Sequence, residues 1–171
     1  MSKRPALAEV IRDPVLFLAT GFGSGLSPFA PGTAGSVVAL AVYIVAVLWW
    51  PPWVFVVLLV LVLVTGSWLC GVAAQRMGRH DHSAIVWDEF AGYGITMLPV
   101  VLGLAPQSPV AAGVVGFFLF RLFDVLKPWP VSWADRRVPG GLGVMLDDVL
   151  AGLYCVPLMV LIALSGWLPA I

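Results

Sequence analysis

The chain has 171 residues, 61% of them hydrophobic and 11% charged, with nine Lys and Arg balancing nine Asp and Glu and a mean hydropathy of +1.02. A soluble domain of this length could not hide so much apolar surface, so one polytopic integral membrane domain, residues 1–171, is expected: an all-α helical bundle of about five transmembrane helices. The balanced charge leaves no basic stripe for nucleic acid, and Cys70 and Cys155, far apart in apolar stretches, read as buried hydrophobes rather than a disulfide framework.

In chain order, residues 1–20 form a cytoplasmic or interfacial segment. Residues 1–13 are polar, and the apolar run 15–20 is too short for a signal-peptide core, so no cleavage is expected. Two glycine-rich pieces follow, Gly21-Phe22-Gly23-Ser24-Gly25-Leu26-Ser27-Pro28 and Pro31-Gly32-Thr33-Ala34-Gly35-Ser36, and lead into the first span. Glycines permit close backbone approach, and free amides at a helix N-terminus attract anions, which makes Ser24, Gly32, Thr33 and Ser36 candidate phosphate-binding positions. The same residues equally suit a tight turn, with Thr33 or Ser36 as a cap or small packing residue.

Spans are expected at 33–50, 53–74, 89–104, 109–126 and 149–168, the third being short and interrupted by Pro99. Trp49, Trp50, Trp53, Trp129, Trp133 and Trp167 fall near span ends, as an interfacial belt requires. Threading these spans puts every charged residue on one side of the membrane. The positive-inside rule makes that side the cytoplasm, with the N-terminus in and the C-terminus out. Acidic residues contribute little to orientation, so the rule does not explain Asp81, Asp88, Glu89, Asp124, Asp135, Asp147 and Asp148 on the same face.

Asp81, His82 and then Asp88-Glu89 precede the third span. A helix beginning near Ser83 would put Glu89 and Gly92 on one face, with Asp88 and Glu89 diverging by about 100°. Such oxygen-only ligands favour a hard cation such as Mg2+. His80 and His82 read as surface or capping residues. Arg121 and Asp124 lie three apart on the fourth span, spaced for an ion pair. Pro128 and Pro130 are expected to end that helix and hold an extended connection carrying Asp135-Arg136-Arg137. A glycine-rich turn then presents Asp147 and Asp148 at the start of the fifth helix, where the dipole suits carboxylates. Asp88, Glu89, Asp124, Asp147 and Asp148 thus converge with Arg121 and Lys127 at a cytoplasmic interface.

The motifs GFGSGLSP, PGTAGS, DHSAIVWDEFAG, FRLFDVLKPWP and GGLGVMLDDVLAG, in this order, resemble the phosphatidylglycerophosphatase A family of bacteria over nearly the whole chain. The resemblance implies a Mg2+-dependent hydrolase of the inner membrane that converts the lipid phosphatidylglycerophosphate to phosphatidylglycerol and phosphate. The family's acidic positions stand at Asp81, Asp88, Glu89, Asp124, Asp135, Asp147 and Asp148. On this reading Asp81, Asp88, Glu89, Asp124, Asp147 and Asp148 are the metal candidates, with Asp88, Glu89, Asp124 and Asp148 catalytic. Arg121, Lys127, Asp135 and Arg136 face the substrate phosphate. Neither cysteine has the basic loop of a thiolate phosphatase. The other readings are a phosphatase of a different lipid phosphomonoester and a cation or proton-coupled carrier. A carrier would want midplane charges and inverted repeats, which the sequence lacks.

Overall fold

The computed structural model describes residues 5–78, 83–104 and 108–166, and all regular structure among them is helical. In order these are α1 (Leu7–Arg12), α2 (Pro14–Ala19), a 3-10 turn (Ser24–Leu26), α3 (Pro31–Trp49), α4 (Pro52–Arg76), α5 (Trp87–Val101), α6 (Pro109–Leu126), α7 (Val131–Arg137) and α8 (Gly140–Leu164). Proline occupies the first turn of α3, α4 and α6, where its missing amide costs nothing and its fixed φ suits the helix. Four helices, α3, α4, α6 and α8, are long and apolar enough to cross a membrane. The fifth, α5, has 15 residues and so rises about 22 Å.

That short helix is the centre of the bundle. It packs against α3, α4, α6 and α8, and 11 of its 15 residues are buried. Lipid is as apolar as leucine, so helices here gain from close packing rather than from escaping water, and small residues mark the contacts. A Cβ at Gly92 would stand 2.5 Å from the Asp148 carbonyl oxygen and from the Phe120 ring, and one at Gly152 would stand 2.3 Å from the Gly92 carbonyl oxygen. Only glycine allows the α5 and α8 backbones to meet this closely, and the contact sets the acids of the two helices side by side. At the cytoplasm-facing end expected from the charges, Asp13 caps α2 through the amides of Val15 and Leu16 and pairs with Arg76 of α4.

Three elements differ from the sequence expectation. Helix α5 starts at Trp87 rather than near Ser83, because residues 84–86 are buried and the Val86 amide donates to the Ala19 carbonyl at 2.9 Å. Helix α8 starts at Gly140 rather than at 149, so Asp147 and Asp148 lie two turns inside it. A Cβ at Gly141 would be 2.0 Å from the Ser67 carbonyl oxygen, so the glycines expected to form a turn are instead where α8 crosses α4. The connection after α6 is not extended: it folds into α7, whose Val131 and Ala134, one turn apart, are fully buried. Trp167 and residues 105–107 of the opposite connection lie outside the described residues.

Candidate active site

Asp124 sits in the last turn of α6, and Asp147 and Asp148 on α8. One carboxylate oxygen from each lies within 4.8 Å of the other two. Asp147 Oδ1 and Asp148 Oδ2 are buried and make no hydrogen bond among the described residues. Three like charges converging with buried, unsatisfied oxygens are unfavourable unless a cation joins them. Hard oxygen donors of this kind suit Mg2+ or a similar divalent ion, so the donor set fits a metal.

A second group fixes Asp124. Arg121, one turn earlier on α6, directs Nη1 to Asp124 Oδ2 at 2.7 Å and to Glu89 Oε1 and Oε2 of α5 at 2.7 and 2.8 Å. Glu89 Oε2 also accepts from Ser36 Oγ of α3 at 2.5 Å. Ser36, Glu89, Arg121 and Asp124 thus form one polar chain across α3, α5 and α6. Gly32 makes room for it, since a Cβ there would be 2.4 Å from Glu89 Oε1. Asp88, next to Glu89, accepts from the Glu89 amide through Oδ1 at 3.1 Å.

Lys127 closes α6 with a left-handed φ of 44°, unusual for a residue with a Cβ. Its Nζ donates to Asp135 Oδ1 at 2.5 Å and to Asp147 Oδ2 at 2.8 Å, tying α6, α7 and α8 together. Partial burial works against its charge, but the bonds to both aspartates outweigh it and raise its pKa above that of an ordinary lysine. Lys127 therefore stays protonated through the whole neutral range.

These groups surround a cavity of about 480 Å³. Its lining includes Asp88, Glu89, Asp124, Asp147 and Asp148, then Lys127 and Asp135, and Arg136, Arg137, Val138 and Pro139. Eight of the expected site residues therefore meet at one place: Asp88, Glu89, Asp124, Lys127, Asp135, Arg136, Asp147 and Asp148. Arg121 lies behind the acids, held by Glu89 and Asp124. Asp81, His80, His82 and Arg79 lie outside the described residues.

The glycine-rich pieces do not line the cavity. Ser24 Oγ turns back to the Thr20 carbonyl at 3.3 Å, Ser36 serves Glu89, and Gly32 and Thr33 form the first turn of α3. A Cβ at Gly25 would be 2.1 Å from the Ala84 carbonyl oxygen, and one at Gly35 would be 2.6 Å from Val86 Cβ. These glycines clasp residues 84–86 and so set where α5 begins, in keeping with the packing alternative. Arg137 is the charged lining residue that sequence reasoning left out. Its signal was its place beside Arg136, and the turn of α7 that brings both to the cavity is a tertiary feature.

The sequence profile of the family described as Phosphatidylglycerophosphatase A matches residues 17–163. The chain belongs to that family. It is 45% identical over 141 residues to phosphatidylglycerophosphatase A of Escherichia coli, covering 82% of this chain and 78% of the relative. The Haemophilus influenzae protein of the same name is 40% identical over 156 residues, 91% of each chain. A Bacteroides thetaiotaomicron protein provisionally named a phosphatidylinositol-3-phosphatase is 37% identical over 171 residues, 96% of this chain and 98% of its own. No solved structure matches the chain. Family membership makes this a phosphatase, and with its four long apolar helices it is a membrane protein.

Proposed function

We propose that the chain removes the terminal phosphate of phosphatidylglycerophosphate, giving phosphatidylglycerol and inorganic phosphate, with Mg2+ held by Asp124, Asp147 and Asp148. The observation that carries this reading is the trio of converging carboxylates, two with buried unpartnered oxygens, at one end of a membrane bundle of this family. The names of the Escherichia coli and Haemophilus influenzae relatives support the substrate. When bound, a divalent cation would withdraw charge from the phosphate oxygens and acidify water.

The chain's own residues do the rest. A water oxygen bonds to phosphorus as the bond from phosphorus to the glycerol oxygen breaks. Asp88, on the cavity wall beside the carboxylate trio, accepts the water's proton and later releases it to solvent, while the departing glycerol oxygen takes a proton from solvent water and leaves as the alcohol. Lys127 offsets the charge that develops. Glu89 and Arg121 act through Asp124, holding its carboxylate in place, and this replaces the phosphate grip expected of Arg121 with a positioning role. We place the N-terminus and the cavity on the cytoplasmic side of a bacterial inner membrane, with the C-terminus opposite, on the one-sided distribution of Lys and Arg.

Phosphate release by detergent-solubilised protein tests this. Phosphatidylglycerophosphate should be turned over faster than phosphatidate or lysophosphatidate, and a chelator should stop the reaction until Mg2+ is restored. Activity that persists in chelator overturns the metal assignment. The name of the Bacteroides relative favours a second reading, another lipid phosphomonoester, which faster turnover of a phosphoinositide would establish.

A further inference from the structure

Charge is divided unevenly around the cavity. Its lining holds six acids, Asp88, Glu89, Asp124, Asp135, Asp147 and Asp148, against three cations, Lys127, Arg136 and Arg137. Lys127 is already shared between Asp135 and Asp147, and Arg121 behind the wall is held by Glu89 and Asp124. Arg136 and Arg137 form no ion pair among the described residues, although both line the cavity. They are not carried on a loose loop: α7 is seated by the fully buried Val131 and Ala134 and is tied to α8 through Asp135, Lys127 and Asp147. The cavity lining thus holds acids that suit a cation and the phosphate to be cleaved, together with an arginine pair that makes no ion pair among the described residues.

A lipid that carries its phosphomonoester directly on diacylglycerol brings one phosphate to this cavity. Phosphatidylglycerophosphate brings two, the terminal monoester and an inner phosphodiester, separated by a glycerol. We propose that Arg136 and Arg137 bind the inner phosphodiester, which is not hydrolysed, and thereby select a two-phosphate lipid over a one-phosphate lipid. The proposal rests on the substrate reading above. Guanidinium is the side chain suited to it, since its planar fork can donate two hydrogen bonds to the two free oxygens of a diester, and discrimination follows because the one-phosphate lipid leaves the pair without a partner.

The test compares kcat/KM for phosphatidylglycerophosphate and phosphatidate in wild-type protein, Arg137→Gln, Arg137→Lys, the double variant Arg136→Gln/Arg137→Gln, and Arg12→Gln. Arg12→Gln is the control, removing the same single charge as Arg137→Gln from the exposed end of α1. The double variant should lower the ratio of the two kcat/KM values by about 10- to 100-fold, mainly through KM for the two-phosphate lipid, with Arg137→Gln intermediate and Arg137→Lys partly restoring it. Arg12→Gln should leave the ratio unchanged. An equal loss on both lipids would sink the proposal and assign the arginines to the anionic bilayer surface or to the fold of α7. An unchanged ratio would sink it too, placing the diester elsewhere. If the wild-type protein cleaves phosphatidate but not phosphatidylglycerophosphate, the substrate reading itself has failed. Wild-type preference with an unaltered variant ratio overturns this inference alone.

Discussion

Helices α4 and α5 are opposites. α4 is a 25-residue run, almost entirely apolar, yet only six of its residues are buried, while α5 carries Asp88, Glu89 and three glycine or alanine contacts in 15 residues and has 11 buried. In a soluble protein the more apolar helix would take the centre. Here the surroundings are themselves apolar, so hydrophobicity gives no reason to leave them, and the interior goes to the helix with small residues and polar partners. The contrast teaches that in this bundle burial tracks closeness of packing and polar satisfaction, not hydropathy.

Four substitutions probe that contrast, taken from the largest effect down. Gly92→Leu should abolish the folded bundle, since no side chain fits between the α8 backbone and Phe120, at a cost of about 3 kcal/mol or more. Loss of the monodisperse peak in detergent size-exclusion would register it, and a stable, active variant would show that the α5–α8 contact is not close. Asp148→Asn should lower kcat by about 10³-fold, about 4 kcal/mol of transition-state stabilisation, by weakening the cation site. Its thermal stability in chelator should not fall, because the substitution removes a buried unpartnered charge. A lowered melting temperature with normal turnover would make Asp148 structural.

Arg121→Lys is third. If Arg121 positions Asp124, the Mg2+ concentration for half activity should rise by about 10- to 100-fold, with KM for the lipid little changed. A titration showing the reverse, an unchanged Mg2+ requirement with a raised KM, would return Arg121 to direct phosphate binding. The smallest effect belongs to α4: Val64→Ala, at a position that is 74% exposed, should leave stability within about 0.5 kcal/mol and activity intact. A larger loss on thermal unfolding would mean that the outer face of α4 is covered by something other than lipid.

Much of this arrangement was legible in the sequence, and what escaped shares one cause. The spans at α3, α4 and α6 followed from runs of apolar residues long enough to cross, and the convergence of Asp88, Glu89, Asp124, Asp147 and Asp148 followed from threading them. The start of α8 was misplaced because glycine at 140–143 reads as a turn until Ser67 of α4 is known to press against Gly141. The glycines before α3 read as well for an anion as for packing, and only residues 84–86, some 60 positions away, decide between the two. For Arg121 the sequence offered an ion pair with Asp124 beside a grip on phosphate; Glu89, 32 residues distant in sequence, supplies a second carboxylate that no spacing within α6 reports. Local composition reported which residues were special. It was silent on which distant backbone or carboxylate each one had been fitted to.

The shortness of α5 bears on how the bundle meets the bilayer. At about 22 Å it falls roughly 8 Å short of a hydrocarbon layer about 30 Å thick, while α4 and α8 exceed that layer. A helix enclosed by α3, α4, α6 and α8 touches little lipid, so its shortness is absorbed inside the bundle rather than by the bilayer. The longer outer helices are the ones that must match the membrane, and the acids at the start of α5 are free of that requirement.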